Sequence, residues 1–164
     1  YRRIQQLVGP ASRQATAVDL YCGVGQIAMM LADRGYRVLG IEENAEAIEY
    51  AKQNASSNHY GESTKFFAGR VEDHARLPIP EWGRTPDVVV VNPSRRGLAP
   101  EARALIRSLL AQDRQPIFLY VSCEAKTMAR DFDDLLPEGM KVRSLEAFDM
   151  FPQTDKLEWL AVAH

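Results

Sequence analysis

Residues 88–91 are four consecutive valines behind Asp87. A strand with one face in water alternates polar and apolar side chains. This run does not, so it reads as a strand buried on both faces, the state of an interior strand in a parallel sheet. The rest of the chain agrees. Short β-rich runs at 16–21, 37–41, 65–68, 87–91 and 117–121 alternate with helical runs at 26–34, 100–111 and 125–136. A further helix, capped by Asn44, is expected to reach residue 56. Strand–helix alternation of this kind predicts parallel βαβ units and an α/β, doubly wound sheet. Two last runs, 141–147 and 157–163, have no helical pattern between them. They are expected to form an antiparallel hairpin at the sheet edge, which makes seven strands.

Size and charge bound the possibilities. The 164 residues, 46% apolar and 26% charged, suit one domain with a full core. The chain opens on Tyr1 rather than Met, so the expectation is a single domain over 1–164 cut from a longer protein. No apolar run is long enough to span a membrane, and no secretory leader is recognisable. The net charge of −2 excludes a polycation, so any nucleic-acid partner must meet a local basic patch. Cys22 and Cys123 are too far apart for a metal-ligand spacing and too few for a disulfide framework, so no metal is expected. A reduced, cytoplasmic protein with no obligate protein partner is the corresponding reading.

The turn after the first strand carries the first chemical signal. Asp19-Leu20-Tyr21-Cys22-Gly23-Val24-Gly25-Gln26 places two glycines between strand and helix, where a backbone must turn tightly and approach a ligand. Glu42, ending the second strand, suits the hydroxyls of a ribose. The stretch 23–28 also satisfies the dinucleotide fingerprint. Asp19 separates the two readings. A carboxylate at the mouth of the loop repels a pyrophosphate, whereas S-adenosylmethionine presents an ammonium and a sulfonium. The cofactor expected here is therefore S-adenosylmethionine, with the class I methyltransferase form of the doubly wound sheet.

Three further positions lie where open α/β sheets bind ligands, beyond the strand ends. Asn92 follows the valine strand and leads into Pro93-Ser94-Arg95-Arg96-Gly97, a turn whose arginines are expected to face the substrate side and meet phosphates. No aromatic residue follows to stack on a base, unlike the Asn-Pro-Pro-aromatic signature of amino-methyltransferases. Cys123 ends the fifth strand just before a helix, where the dipole favours thiolate. It reads equally as a nucleophile or as a small packed hydrophobe. Cys22 reads as packing. Glu158 heads a strand whose same-face neighbours are Leu160 and Val162, a setting that raises a carboxyl pKa and suits a general base. A solvated strand-end acid is the alternative.

Four segments carry a resemblance. Residues 19–25, 91–97 (Val-Asn-Pro-Ser-Arg-Arg-Gly), 120–131 (Tyr-Val-Ser-Cys-Glu-Ala-Lys-Thr-Met-Ala-Arg-Asp) and 148–158 (Phe-Asp-Met-Phe-Pro-Gln-Thr-Asp-Lys-Leu-Glu) resemble, in order, the bacterial RNA uracil-5-methyltransferases. The 91–97 and 126–131 forms look most like the branch acting on 23S ribosomal RNA. The resemblance implies methyl transfer from S-adenosylmethionine to C5 of a uridine in RNA, with Cys123 as the nucleophile and Glu158 as the base. It implies Asp19, Tyr21, Gly23, Gly25, Glu42 and Asn92 as the cofactor side, an RNA partner, and no membrane partner. Ser94, Glu124, Gln153 and Lys156 depart from the family pattern. The family's RNA-binding barrel and iron–sulfur cysteines are not in this sequence, so such a cluster belongs only to a preceding segment. Two rivals accompany this reading: a non-catalytic cofactor-binding or RNA-docking domain, and another S-adenosylmethionine enzyme or a dehydrogenase.

Overall fold

The computed structural model describes residues 2–76, 85–112, 114–150, 153–154 and 156–164; the side chains of 74–76 are outside this description. Five strands, β1 (Thr16–Leu20), β2 (Arg37–Glu42), β3 (Thr64–Ala68), β4 (Val88–Val91) and β5 (Ile117–Ser122), run parallel to one another. Two more, β6 (Val142–Phe148) and β7 (Glu158–Ala163), complete a sheet of order β3-β2-β1-β4-β5-β7-β6. The later strand, β7, takes the inner place, antiparallel to both β5 and β6. The expected class I methyltransferase sheet, with its antiparallel ending, is what forms.

The valine run explains the layering. Val89 and Val91 enter one apolar cluster with α4 (Pro100–Leu110) and α5 (Ala125–Leu135), while Val88 and Val90 enter the other with α1 (Arg2–Val8) and α2 (Gln26–Asp33). All four valines are fully buried. At about 1.5–3 kcal/mol per buried aliphatic side chain, this one strand contributes burial to both helical layers at once. A fifth helix, α3 (Ala45–Ser57), packs on β2 and β3. Asn44 caps it as expected, its side chain accepting from the Glu46 and Ala47 amides at 2.9 and 3.2 Å.

Boundaries fall within a residue or two of the sequence expectation. Two elements were not legible. Helix α1 is seven residues long with no acidic first turn, and a short 3₁₀ segment spans Val71–Arg76 with a kink at Asp73. Strand order reverses between β1 and β4, so the crevice beyond their carboxyl ends is where this sheet binds a ligand.

Candidate functional site

The chain leaves β1 through an unusual backbone. Tyr21 sits in the left-handed region at φ 62°, followed by Gly23 at φ 53° and Gly25 at φ 81°. The two glycines do different jobs. A Cβ on Gly25 would lie 2.8 Å from the Phe66 ring, so this glycine is packed into the fold. A Cβ on Gly23 would meet nothing within 4 Å, so this one faces open space. The bare backbone of Gly25 then opens α2 with no side-chain cap.

Glu42 closes the loop from the β2 side. Its carboxylate accepts from the Gly23 amide at 3.2 Å and the Asn44 amide at 3.0 Å, one on each oxygen. Each oxygen keeps a further lone-pair direction for an incoming hydroxyl. Asn92 stays beside the same loop, its amide donating to the Leu20 carbonyl at 3.2 Å. Asp19 lies beneath the loop and is completely buried. Neither of its oxygens has a hydrogen-bond partner of ordinary geometry. Burial pushes its carboxyl up to about 7; the Ala28 backbone partly offsets this and the Glu42 charge adds to it. An orphaned buried carboxylate under a loop with open space above fits a cationic ligand, which S-adenosylmethionine is.

Tyr21 lies on the other face of this edge. Its hydroxyl donates to Glu72 at 3.4 Å, and burial, reinforced by the Glu72 charge, raises the phenol. It lines a cleft of about 740 Å³ together with Glu43, Arg70, Glu72, Arg96 and Arg130, among others. Both arginines of the 93–97 turn are exposed; Arg96 lines this cleft, whereas Arg95 is not among its lining residues.

Cys22 is buried, and burial together with Asp19 and Glu42 holds its thiol far above the ordinary range, which agrees with a packing role. Cys123 is partly exposed on the turn between β5 and α5. The helix start beside it is engaged: the Glu124 carboxylate accepts from the Lys126 amide at 3.2 Å. A carboxylate thus already occupies the helix N-terminus beside Cys123. Glu158 stands at the first rung of β7. The β5–β7 ladder ends at the Ser122–Trp159 pair; Cys123 directly follows it on the β5 side and Glu158 directly precedes it on the β7 side, so both lie at the same edge of the sheet. Glu158 lines a hollow of about 160 Å³ with Ile4, Val121, Phe148 and Leu160; Cys123 is not among its lining residues. Burial there raises the Glu158 carboxyl above its ordinary value.

One residue of this edge escaped sequence reasoning. Asp131 is fully buried inside α5 and accepts from the Leu98 amide, the Tyr120 hydroxyl, Arg103 and Arg130. Its signal was present: Met128, Asp131 and Leu135 form one buried stripe at helical spacing, with an acid in the middle. Of the departures noted above, Gln153 adopts φ 69°. Phe151, Pro152 and Asp155 of the 148–158 segment lie outside the described residues. Among the described residues no helix is long and apolar enough to cross a membrane, and no three His, Cys, Asp or Glu converge as a metal site.

Comparison with known proteins agrees with this fold. An uncharacterized RNA methyltransferase of Parasynechococcus marenigrum is 40% identical over 158 residues, covering 95% of this chain and 31% of the relative. Another from Protochlamydia amoebophila is 37% identical over 143 residues, covering 87% of this chain and 32% of the relative. The chain thus spans about a third of the length of the curated relatives it matches. The crystal structure of Pyrococcus abyssi tRNA (uracil-54, C5)-methyltransferase in complex with S-adenosyl-L-homocysteine superposes with a TM-score of 0.80. It is 29% identical, over 99% of this chain and 36% of that one. The family described as "Methyltransferase domain" matches residues 11–149. With that match over most of its length, and with the S-adenosylmethionine-dependent methyltransferase fold around the glycine loop, the chain belongs to the methyltransferase domain family.

Proposed function

We propose that this domain transfers a methyl group from S-adenosylmethionine to C5 of a uridine in RNA, with Cys123 as nucleophile and Glu158 as base. The observation that supports the reading is that Cys123 directly follows β5 while Glu158 opens β7, which runs antiparallel to β5, so both residues belong to the edge where the cofactor loop lies. Uracil C5 and C6 are adjacent atoms, so a thiol and a carboxylate acting on them must flank one small ring.

The cofactor side is assigned to Asp19, Tyr21, Gly23, Gly25, Glu42 and Asn92. Asp19 supplies the charge for the ammonium, Glu42 takes the ribose hydroxyls, and Gly23 leaves room for close approach. When bound, S-adenosylmethionine supplies an electrophilic methyl on a sulfonium and leaves as a thioether. Uracil C5 is too weak a nucleophile to take that methyl unaided. Cys123 thiolate adds to C6, forming the S–C6 bond and moving the C5–C6 π pair into an enolate, which makes C5 reactive. Once C5 carries the methyl, Glu158 takes the C5 proton. The released pair re-forms the C5–C6 double bond and the C6–S bond breaks, returning the thiolate. Burial suits Glu158 to this step, because a carboxylate desolvated by its neighbours binds a proton more tightly. A base inside folded RNA must be extruded to reach the edge.

The form of the 91–97 and 126–131 segments favours 23S ribosomal RNA. A transfer RNA substrate is the second reading, favoured by the similarity to the Pyrococcus abyssi enzyme. Methyl transfer by the full-length protein to each unmodified RNA separates the two. In fluorouridine-substituted RNA, Cys123→Ala should abolish the covalent adduct. Glu158→Gln should accumulate a stable methylated adduct on ordinary RNA, seen as a slow band in a denaturing gel. A Glu158→Gln protein that turns over normally would overturn the mechanism.

A further inference from the structure

The motif running from Lys126 to Asp131 has no role in the chemistry above, yet it ends in the fully buried Asp131 carboxylate, the acid that gathers more hydrogen bonds than any other described residue of this edge. Its two oxygens are divided by partner. Oδ2 accepts from the Leu98 amide at 2.8 Å and from the Tyr120 hydroxyl at 2.6 Å. Oδ1 accepts from Arg130, at 2.6 and 3.0 Å, and from Arg103 at 3.4 Å. Arg130 in turn donates to the Arg96 carbonyl at 3.0 Å. The two residues flanking Gly97 are therefore both tied to Asp131, one directly and one through Arg130. Gly97 itself permits this: it sits at φ 73°, and a Cβ there would lie 2.6 Å from both the Asp131 carboxylate and the Arg130 guanidinium.

The clamp joins two turns. One is the β4–α4 connection, which begins at Asn92 and carries Arg96. The other is the β5–α5 connection, which carries Cys123 and is bracketed by Tyr120 on one side and by Arg130 and Asp131 on the other. We infer that Asp131 is a positioning residue, fixing the Asn92–Leu98 turn against the Cys123 turn so that the nucleophile and the cofactor side meet in one geometry. The inference rests on the proposed roles of Cys123 and Asn92.

An amide cannot replace this carboxylate. In either orientation of Asp131→Asn, an N–H₂ group faces an obligate donor, either the two arginines or the Leu98 amide. Misplacement of reacting groups by about 1 Å lowers a rate on the order of a hundredfold. The test measures kcat, KM and urea stability in the full-length protein, with unmodified 23S ribosomal RNA and transfer RNA as substrates. Three variants are compared: Asp131→Asn, Arg130→Met and Leu135→Ala. Leu135→Ala destabilises the same helix from its far end without touching the clamp. Asp131→Asn and Arg130→Met should lower kcat, by about a hundredfold and about tenfold, with cofactor affinity within about threefold of wild type. Arg130→Met, at a half-exposed side chain, should do so with little loss of stability. Leu135→Ala should lower stability but leave kcat near wild type. If kcat instead follows stability across the three variants, or if folded Arg130→Met and Asp131→Asn keep wild-type kcat, Asp131 is only structural and the inference fails. A wild-type protein inactive on both RNAs would overturn the proposed function instead. The clamp would then be read from amide exchange at Leu98: protection unchanged by Asp131→Asn would overturn it too.

Discussion

The Gly23 amide donates to the Glu42 carboxylate at 3.2 Å, so the residue that ends β2 holds the turn that follows β1. In the proposed binding mode Glu42 thus has two duties, as ribose partner and as support for the loop. Glu42→Ala removes both, and the affinity for S-adenosylhomocysteine should fall by roughly 10- to 100-fold, the equivalent of about 1.5–3 kcal/mol for lost bonds to a charged group. Glu42→Gln, which keeps one acceptor oxygen, should lose less. Calorimetry showing unchanged affinity in Glu42→Ala would remove the ribose from this position.

Gly23 and Gly25 should separate in their effects. An alanine at 25 meets both the strained φ and the Phe66 ring, so Gly25→Ala should lower stability by about 2 kcal/mol or more. An alanine at 23 meets only the strained φ, so Gly23→Ala should lose about 1 kcal/mol of stability and a larger share of cofactor affinity. Paired urea titrations and binding curves check the order; equal effects on both quantities at both sites would contradict it.

Asp19 predicts two pH dependences. Its folded carboxyl titrates at about 7, above the ordinary 3.8. A carboxyl raised on folding contributes stability that is fully present below the lower value and is lost as pH rises through the upper one. From pH 4 to 7 the wild type should therefore lose stability relative to Asp19→Asn, on the order of 4 kcal/mol in all. Affinity for the cationic cofactor should move the other way, rising with pH and levelling above about 7, because the ammonium binds the ionised form. Denaturation and calorimetry over this range test both; affinity flat in pH would detach Asp19 from the ligand.

Glu158 must be ionised to take a proton, and burial raises its carboxyl. The rate of adduct resolution should therefore rise with pH along an acid limb displaced above the usual carboxylate range. Phe148→Ser, which admits water to the hollow that Phe148 shares with Glu158, should move that limb back down. Single-turnover rates across pH read the displacement, and a limb that stays put in Phe148→Ser would mean burial is not its cause.

Arg96 lines the large cleft and Arg95 does not. If the cleft meets RNA phosphate, Arg96→Ala should reduce the salt slope of RNA binding by about one unit, whereas Arg95→Ala should leave it nearly unchanged. Equal slopes for Arg96→Ala and wild type would make this turn a solvated one.

The parts of this domain that could be read from sequence are those governed by local chemistry. The valine run, the Asn44 cap and the glycine turn each announce themselves within a few residues, and the strand boundaries follow. The parts that could not be read depend on partners distant in sequence. Helix α1 is too short to show a period, and its Ile4 and Val8 acquire meaning only against the sheet. Asp131 looks like a solvated helix acid until Tyr120, Leu98 and Arg103 close around it. That Glu124 would cap α5 beside Cys123 was equally hidden, since the residue stood out only as a departure from the family pattern.

Strand β7 follows β6 in the chain but lies inside it, between β5 and β6. During synthesis β6 therefore emerges with no docking partner on the sheet, and its place exists only once β7 has been laid against β5. The same event brings Glu158 to its rung. Assembly of the sheet edge and the arrival of Glu158 at the edge that carries Cys123 are thus one step in time, so a nascent chain that has made everything up to β6 has a glycine turn and a thiol but not yet Glu158.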